Sequence, residues 1–241
     1  MISSKPALPA LLTPRRWLPA ALLLACALPA LAADPIQYRL DPVHTRVMFA
    51  VSHAGFSNAI GTVSGSTGTL LFDPQDWSTA KLQVSVPLDR IDLGDAKWNK
   101  AAAANRLLDV KDHPVATFVS TRIEPVDAEH ASVFGTLDLH GVAREIKLDV
   151  KLNAIKRHPM PPFRRTAGFS ATATLNRMDF GIDAWKAVIG DTVELRIEAE
   201  AVRDRGAADE SADPLPPPQD NSLEPDDTAP DTTETEPVTT P

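Results

Sequence analysis

A period of two narrows the fold more than any other feature of this chain. Between about residues 33 and 205, apolar and polar side chains alternate along one short segment after another. Successive side chains of a strand point to opposite faces of a sheet, so this alternation marks strands with one buried and one wet face. Val193, Leu195, Ile197 and Ala199 interleave with Thr192, Glu194, Arg196, Glu198 and Glu200, and Ile146, Leu148, Val150 and Leu152 interleave with Lys147, Asp149 and Lys151. Val133, Gly135, Leu137 and Leu139 repeat the pattern, as do Leu82, Val84 and Val86, and Val47, Phe49 and Val51. Eight such segments can be drawn, at about 38–53, 60–72, 79–92, 114–124, 131–140, 143–156, 165–179 and 191–203. Parallel strands are buried on both faces and lose the alternation, so these strands are expected to be antiparallel. Turn chemistry agrees: His140-Gly141-Val142 separates two alternating runs as a tight hairpin would, and Asp73-Pro74-Gln75-Asp76 is a turn sequence.

One insertion breaks the period. Residues 95–110 hold four consecutive alanines at 101–104 and Leu107-Leu108, with Asp95 placed to cap a helix and His113-Pro114 to stop one. A helix of about three to four turns is expected there. Trp98, Ala101, Ala102 and Asn105 would share one face, extended by Leu108. Eight strands and one helix form either a two-sheet sandwich or a closed barrel. Many inward positions are small or β-branched, among them Val47, Val51, Gly135, Ala171, Ala173 and Ala199. A lumen lined this way leaves space, but the pattern does not separate a barrel from a packed sandwich.

The two ends have a different character. We read residues 1–32 as an export signal: Lys5, Arg15 and Arg16 precede an apolar run that is too short and too interrupted by proline for a good membrane helix. The run ends in Ala30-Leu31-Ala32, which places the mature start at Ala33 and the mature chain in the periplasm. The alternative is a lipoprotein anchored at Cys26, the only cysteine. With the first cleavage the mature chain, residues 33–205 plus a tail at 206–241, carries no thiol for a disulfide or a metal. That tail is rich in Pro, Asp, Glu and Thr and is expected to be disordered. It holds ten of the acidic residues and no Lys or Arg, so the formal net charge of −8 becomes +2 without it. Residues 33–205 therefore show no basic excess of the kind nucleic acid requires.

Further residues match a known family. Tyr38, Leu40-Asp41-Pro42, His44-Thr45, Val47, Phe49, Val51 and His53 resemble the first strand of the YceI-like family of bacterial envelope proteins. Gly65, Gly68, Leu70, Phe72 and Asp73-Pro74 resemble its second, and Pro114, Phe118 and Ser120 its middle strand. Gly135-Thr136-Leu137 with His140-Gly141-Val142 resembles its hairpin; Asn176-Arg177, Asp179-Phe180-Gly181, Gly190-Asp191 and Val193 resemble its closing segments. The resemblance implies an all-β, eight-stranded, antiparallel, lipocalin-like barrel with the helix near one mouth. It also implies an elongated apolar cavity that binds isoprenoid chains, those of quinones or polyprenyl lipids. The helical insertion departs from the family, because the charged Arg-Asp-x-His-Leu cluster that many members carry is absent from residues 98–108.

Several residues are candidates for a site. Val47, Phe49, Val51, Leu70, Phe72, Leu82, Val84, Phe169, Ala171, Leu195 and Ile197 share the inward parity of their strands and would line the cavity. His53 shares that parity near a strand end, where it meets either a ligand head group or nearby backbone. His44 is expected to fix the start of the first strand, and His140 to sit in a turn. Arg177, with Asn176, is placed either at an anionic head group or, for Arg177, in a pair with Asp179 that holds the turn before Gly181. Trp98 and Trp185 either gate the mouth or cap the core. Nucleophile elbows, zinc-protease helices and phosphate loops are missing, so a non-enzymatic binding protein without a cofactor is expected, its ligand a polyisoprenoid or quinone. The other reading is an envelope scaffold whose barrel is filled. Transient contact with the envelope membrane and homodimerisation stay open.

Overall fold

A computed structural model describes residues 35–205; the segment read as an export signal, Cys26 and the acidic tail lie outside the described residues. Eight antiparallel strands run up and down in chain order. They are β1 (Ile36–Leu40 and Arg46–His53), β2 (Ser57–Ser64 and Thr67–Phe72), β3 (Lys81–Pro87 and Ile91–Asp92), β4 (Val115–Pro125), β5 (His130–Leu139), β6 (Val142–Arg157), β7 (Arg165–Asn176) and β8 (Ile189–Arg203). Each pairs with the next, and β8 returns to pair with β1 through Leu40–Ala201 and Phe49–Leu195. The sheet therefore closes, and the barrel replaces the sandwich as the architecture.

The first three strands break at the same level, which the alternation did not reveal. The pairs Arg46–Ser64 and Val63–Ile91 lie immediately beside the breaks, so the three strands turn a corner together. Each break has a local cause. The Asp41 carboxylate accepts from the N–H groups of Val43 (2.8 Å) and His44 (3.3 Å), folding 41–45 into a turn. Gly65 sits at φ +78°, and a Cβ there would lie 2.8 Å from the Arg90 side chain. The third break is a 3₁₀ turn, Leu88–Arg90.

The helix is shorter than the sequence suggests. α1 spans Ala96–Ala103, capped by Asp95, which accepts from the N–H groups of Lys97 and Trp98. It stops at Ala104, whose ψ of 160° is extended, and a string of turns follows to His113. The apolar side chains explain the stop. Leu107 and Leu108 both pack on the cluster of Leu175, Phe180 and Ile182, whereas a continuing helix would place neighbours about 100° apart around its axis. In the same way β7 ends at Asn176 rather than 179. The Asn176 side chain accepts from Met178 N–H and starts a 3₁₀ turn, Arg177–Phe180, which Gly181 closes at φ +74°.

Packing divides the interior into a filled end and a hollow one. Away from α1, Tyr38, Phe72, Trp77, Ala131, Ala167 and Ala201 form one buried cluster that closes the barrel. Gly135 does not leave the space its size suggests. The Phe118 ring occupies it, and a Cβ on Gly135 would lie 2.4 Å from that ring and 2.5 Å from the Val119 carbonyl oxygen. Gly135→Ala is thus expected to destabilise the barrel by about 1–3 kcal/mol, because a β-carbon must displace backbone as well as a ring. Urea unfolding with an unchanged slope and a lower midpoint is the expected readout; an unaltered midpoint would show that β4 and β5 can separate at no cost.

Candidate functional site

The hollow end holds a cavity of about 470 Å³, inside the range of roughly 300–1,000 Å³ typical of small-molecule sites. Its wall comes from nearly every strand. β1 contributes Val47, Phe49, Val51 and His53, β2 contributes Leu70 and Phe72, and β3 contributes Leu82 and Val84. Phe169 and Ala171 of β7 and Leu195 and Ile197 of β8 complete the set expected from parity, and all twelve residues line this one space. Closure causes the convergence: cross-strand pairing puts Ala171 beside Ile197 and Val150, and Leu195 beside Phe49, around one axis. Ala173, of the same parity, does not line the cavity.

The wall also includes residues that alternation could not supply. Trp77 comes from a 3₁₀ turn that Asp76 caps, and its ring meets Phe72 edge-on at 5.0 Å. Leu88 and Ser66 come from the strand breaks, and Leu107 and Leu108 from the turns after α1. The available signal was a large aromatic residue inside a turn sequence, Asp76-Trp77, where a solvated loop would carry a polar one.

The mouth lies at the end bearing α1. Trp98 and Trp185 line the cavity there and remain 44% and 47% exposed. Both therefore stand at the rim rather than in the core. The His53 ring lies 5.2 Å from that of Trp98 at an interplanar angle of 43°. Arg177 also reaches the cavity, but neither role expected for it fits. It is 5% exposed and donates from Nε to Gly190 O (2.8 Å), from Nη1 to Ile182 O (2.5 Å) and Ala184 O (3.0 Å), and from Nη2 to Ile189 O (2.8 Å). Its nearest carboxylate is that of Asp191 at 3.6 Å, not Asp179. Four of the five guanidinium N–H groups go to carbonyls of the loop between β7 and β8, and Nη2 also faces Asp191, so the group is engaged with that loop. Asn176 is absent from the cavity wall; it lies on an outer groove where β6 and β7 part beyond the Thr172–Asp149 pair, with its side chain engaged as a cap.

His44 and His140 sit in turns, as expected. His44 Nδ1 lies 2.8 Å from Asp41 Oδ2. Partial burial opposes ionisation of Asp41, but the hydrogen bonds from His44 and from the Val43 and His44 N–H groups outweigh it and hold the carboxyl below its ordinary value. The same hydrogen bond keeps His44 protonated to higher pH than a free histidine. Asp41, His44 and Glu200 bring donor atoms within 4.8 Å of one another, the arrangement among the described residues nearest to a metal site. His140 and Gly141, at φ +56° and +72°, form the two-residue hairpin turn between β5 and β6.

A closed eight-stranded barrel with an apolar interior and one short helix at the mouth belongs to the lipocalin-like class of small antiparallel barrels. Within that class the chain is a member of the YceI-like family, whose YceI-like domain matches residues 38–201. A UPF0312 protein of Pectobacterium atrosepticum is 34% identical over 185 residues, covering 76% of this chain and 93% of the relative. A UPF0312 protein of Pseudomonas savastanoi pv. phaseolicola is 34% identical over 176 residues, 72% of this chain and 88% of the relative. Among solved structures, Burkholderia cenocepacia BcnA shares the fold with a TM-score of 0.60 at 24% identity, covering 67% of this chain and 98% of that one. A Campylobacter jejuni YceI protein does so with a TM-score of 0.56 at 24% identity, covering 62% and 88%.

Proposed function

We propose that this protein holds the hydrocarbon chain of an isoprenoid lipid, a quinone or a polyprenyl lipid, inside its barrel. The observation that carries this reading is the cavity of about 470 Å³ walled by aliphatic and aromatic side chains from all round a closed sheet. Such a space takes its occupant by displaced water and dispersion rather than by hydrogen bonds. At about 0.8 kcal/mol per buried methylene, one five-carbon isoprene unit contributes about 4 kcal/mol. Several units are then needed to exceed the roughly 4–15 kcal/mol that association costs, which favours long chains over short ones. The YceI-like resemblance directs the choice among long apolar molecules toward isoprenoids. A filled-barrel scaffold has no comparable support, since the hollow end is not filled.

The protein acts in the periplasm as a binding protein, not a catalyst, on the strength of the signal read at residues 1–32 and of a wall almost without reactive groups. Phe56 at the β1–β2 hairpin, 92% exposed, lies on the same rim as Trp98, Trp185 and Val188 and would let the mouth rest on the envelope membrane while a lipid passes. Organic extraction of the protein recovered from its host, followed by mass spectrometry, tests the assignment. One isoprenoid lipid per barrel is expected. Extracts without lipid, from protein that also takes up no added isoprenoid, would overturn it.

A further inference from the structure

The cavity has two chemically different ends, and the difference bears on how a lipid is seated. In the deeper part, the polar atoms of the surrounding side chains are turned away or covered. Tyr38 Oη, Ser66 Oγ and Trp77 Nε1 are buried beneath neighbouring atoms without a hydrogen-bond partner among the described residues, and the Thr45 hydroxyl lies 3.4 Å from Glu200 O on the neighbouring strand. A polar head group placed there would lose its water against an apolar wall, because those three unpaired atoms are covered and meet it only if their side chains turn. The titratable side chains on the cavity wall are His53 and Arg177, both from the mouth end. Arg177 is committed to four backbone carbonyls. His53 is not committed: neither of its ring nitrogens has a hydrogen-bond partner among the described residues, and its ring lies 5.2 Å from that of Trp98.

We infer that the lipid enters tail first and that its head stops at the mouth, where His53 hydrogen-bonds an uncharged oxygen function, a hydroxyl or a carbonyl. The inference rests on the isoprenoid-holding function proposed above and adds orientation and head-group class to it. Neutral imidazole offers one donor and one acceptor, which matches a hydroxyl or a carbonyl oxygen. A phosphate would need several donors or a cation, and the one guanidinium on the wall gives four of its five N–H groups to backbone carbonyls and has Asp191 beside it. The Trp98 ring lies against the imidazole at the rim, 5.2 Å between centroids.

Three probes of matched chain length separate the outcomes on lipid-stripped full-length protein: geranylgeraniol, its monophosphate, and the hydrocarbon phytane. His53→Phe keeps a ring against Trp98 and removes both nitrogens. It is expected to weaken geranylgeraniol binding about 5–10-fold relative to phytane binding, the loss of one hydrogen bond. His53→Gln, which restores a donor and an acceptor, should recover most of the alcohol affinity. A diazirine at the hydroxyl end of geranylgeraniol should label residues 53 or 98. Equal losses for alcohol and hydrocarbon, tighter binding of the monophosphate than of the alcohol by the unmodified protein, or labelling near Phe72 or Trp77 would each overturn the orientation while leaving the isoprenoid function standing. Failure of all three probes to bind would bring down the function itself, and the orientation with it.

Discussion

Replacing Arg177 with methionine should destabilise the barrel by about 3–5 kcal/mol and lower its thermal midpoint by roughly 6–20 °C. The size follows from what the side chain satisfies. Four carbonyl oxygens, of Ile182, Ala184, Ile189 and Gly190, converge on one guanidinium that is 5% exposed. A buried carbonyl left without a donor costs about 1–3 kcal/mol, and the loop between β7 and β8 can recover only part of that by opening to water. Methionine keeps the length and apolar bulk of the stem, so the loss reports the donors and not a cavity. Lysine is the sharper control. Its ammonium is a point donor on a flexible stem and cannot reproduce a planar fork aimed at several oxygens, so Arg177→Lys should recover less than half of the loss. Scanning calorimetry of the three proteins measures this. A methionine variant melting within about 2 °C of the unmodified protein would mean that water already serves those carbonyls. The same substitution should loosen the rim, because the loop carrying Trp185 and Val188 is the one that Arg177 ties to the end of β7.

Regular structure was legible in the sequence where the wall is regular. Alternation placed all eight strands and assigned an inward face to Val47, Phe49, Leu195 and Ile197, because a period of two maps onto the two faces of a sheet whichever neighbour a strand pairs with. What alternation cannot encode is the third dimension of the wall. The common break of β1, β2 and β3 arises from an Asp41 side chain, a left-handed Gly65 and a 3₁₀ turn, three unrelated local causes that become one corner only after pairing. Leu88 reaches the cavity from one of those irregular pieces and Trp77 from a separate 3₁₀ turn, and so both were missed. Arg177 shows the opposite failure. Its charge and its neighbour Asp179 were visible, but its partners are backbone carbonyls up to thirteen residues on, and backbone oxygens leave no mark in a sequence. Gly135 shows how residue size misleads: a small residue marks space, but not which side chain takes it.

Ala171→Phe should abolish most lipid uptake while leaving the barrel folded. Ala171 lies midway along β7, pairs with Val150 on one side and Ile197 on the other, and faces the cavity with them. A phenyl ring on its Cβ therefore projects across the lumen toward the opposite wall, into the space a chain would occupy. The substitution alters no charge and leaves the mouth untouched, so a loss of binding can be ascribed to lost volume. Two opposing effects set its stability. Added apolar area inside a hollow space is favourable at roughly 25 cal/mol per Å² buried, while any contact too close for the wall to yield costs about 1–3 kcal/mol. With about 470 Å³ available the first should offset the second, so the thermal midpoint should move by only a few degrees in either direction. Phe169→Ala makes the complementary change. It removes a ring that packs on Phe72 at 5.6 Å, enlarges the same lumen, and should keep lipid while losing about 3–5 kcal/mol of stability. Narrowing and widening one space thus pull the two readouts apart: the narrowed barrel stays stable and empty, the widened one is less stable and loaded. A folded Ala171→Phe protein that still carries its full complement of lipid would place the ligand outside the barrel, on the rim or the outer groove, and the lumen would have to be read as a packing feature of the fold.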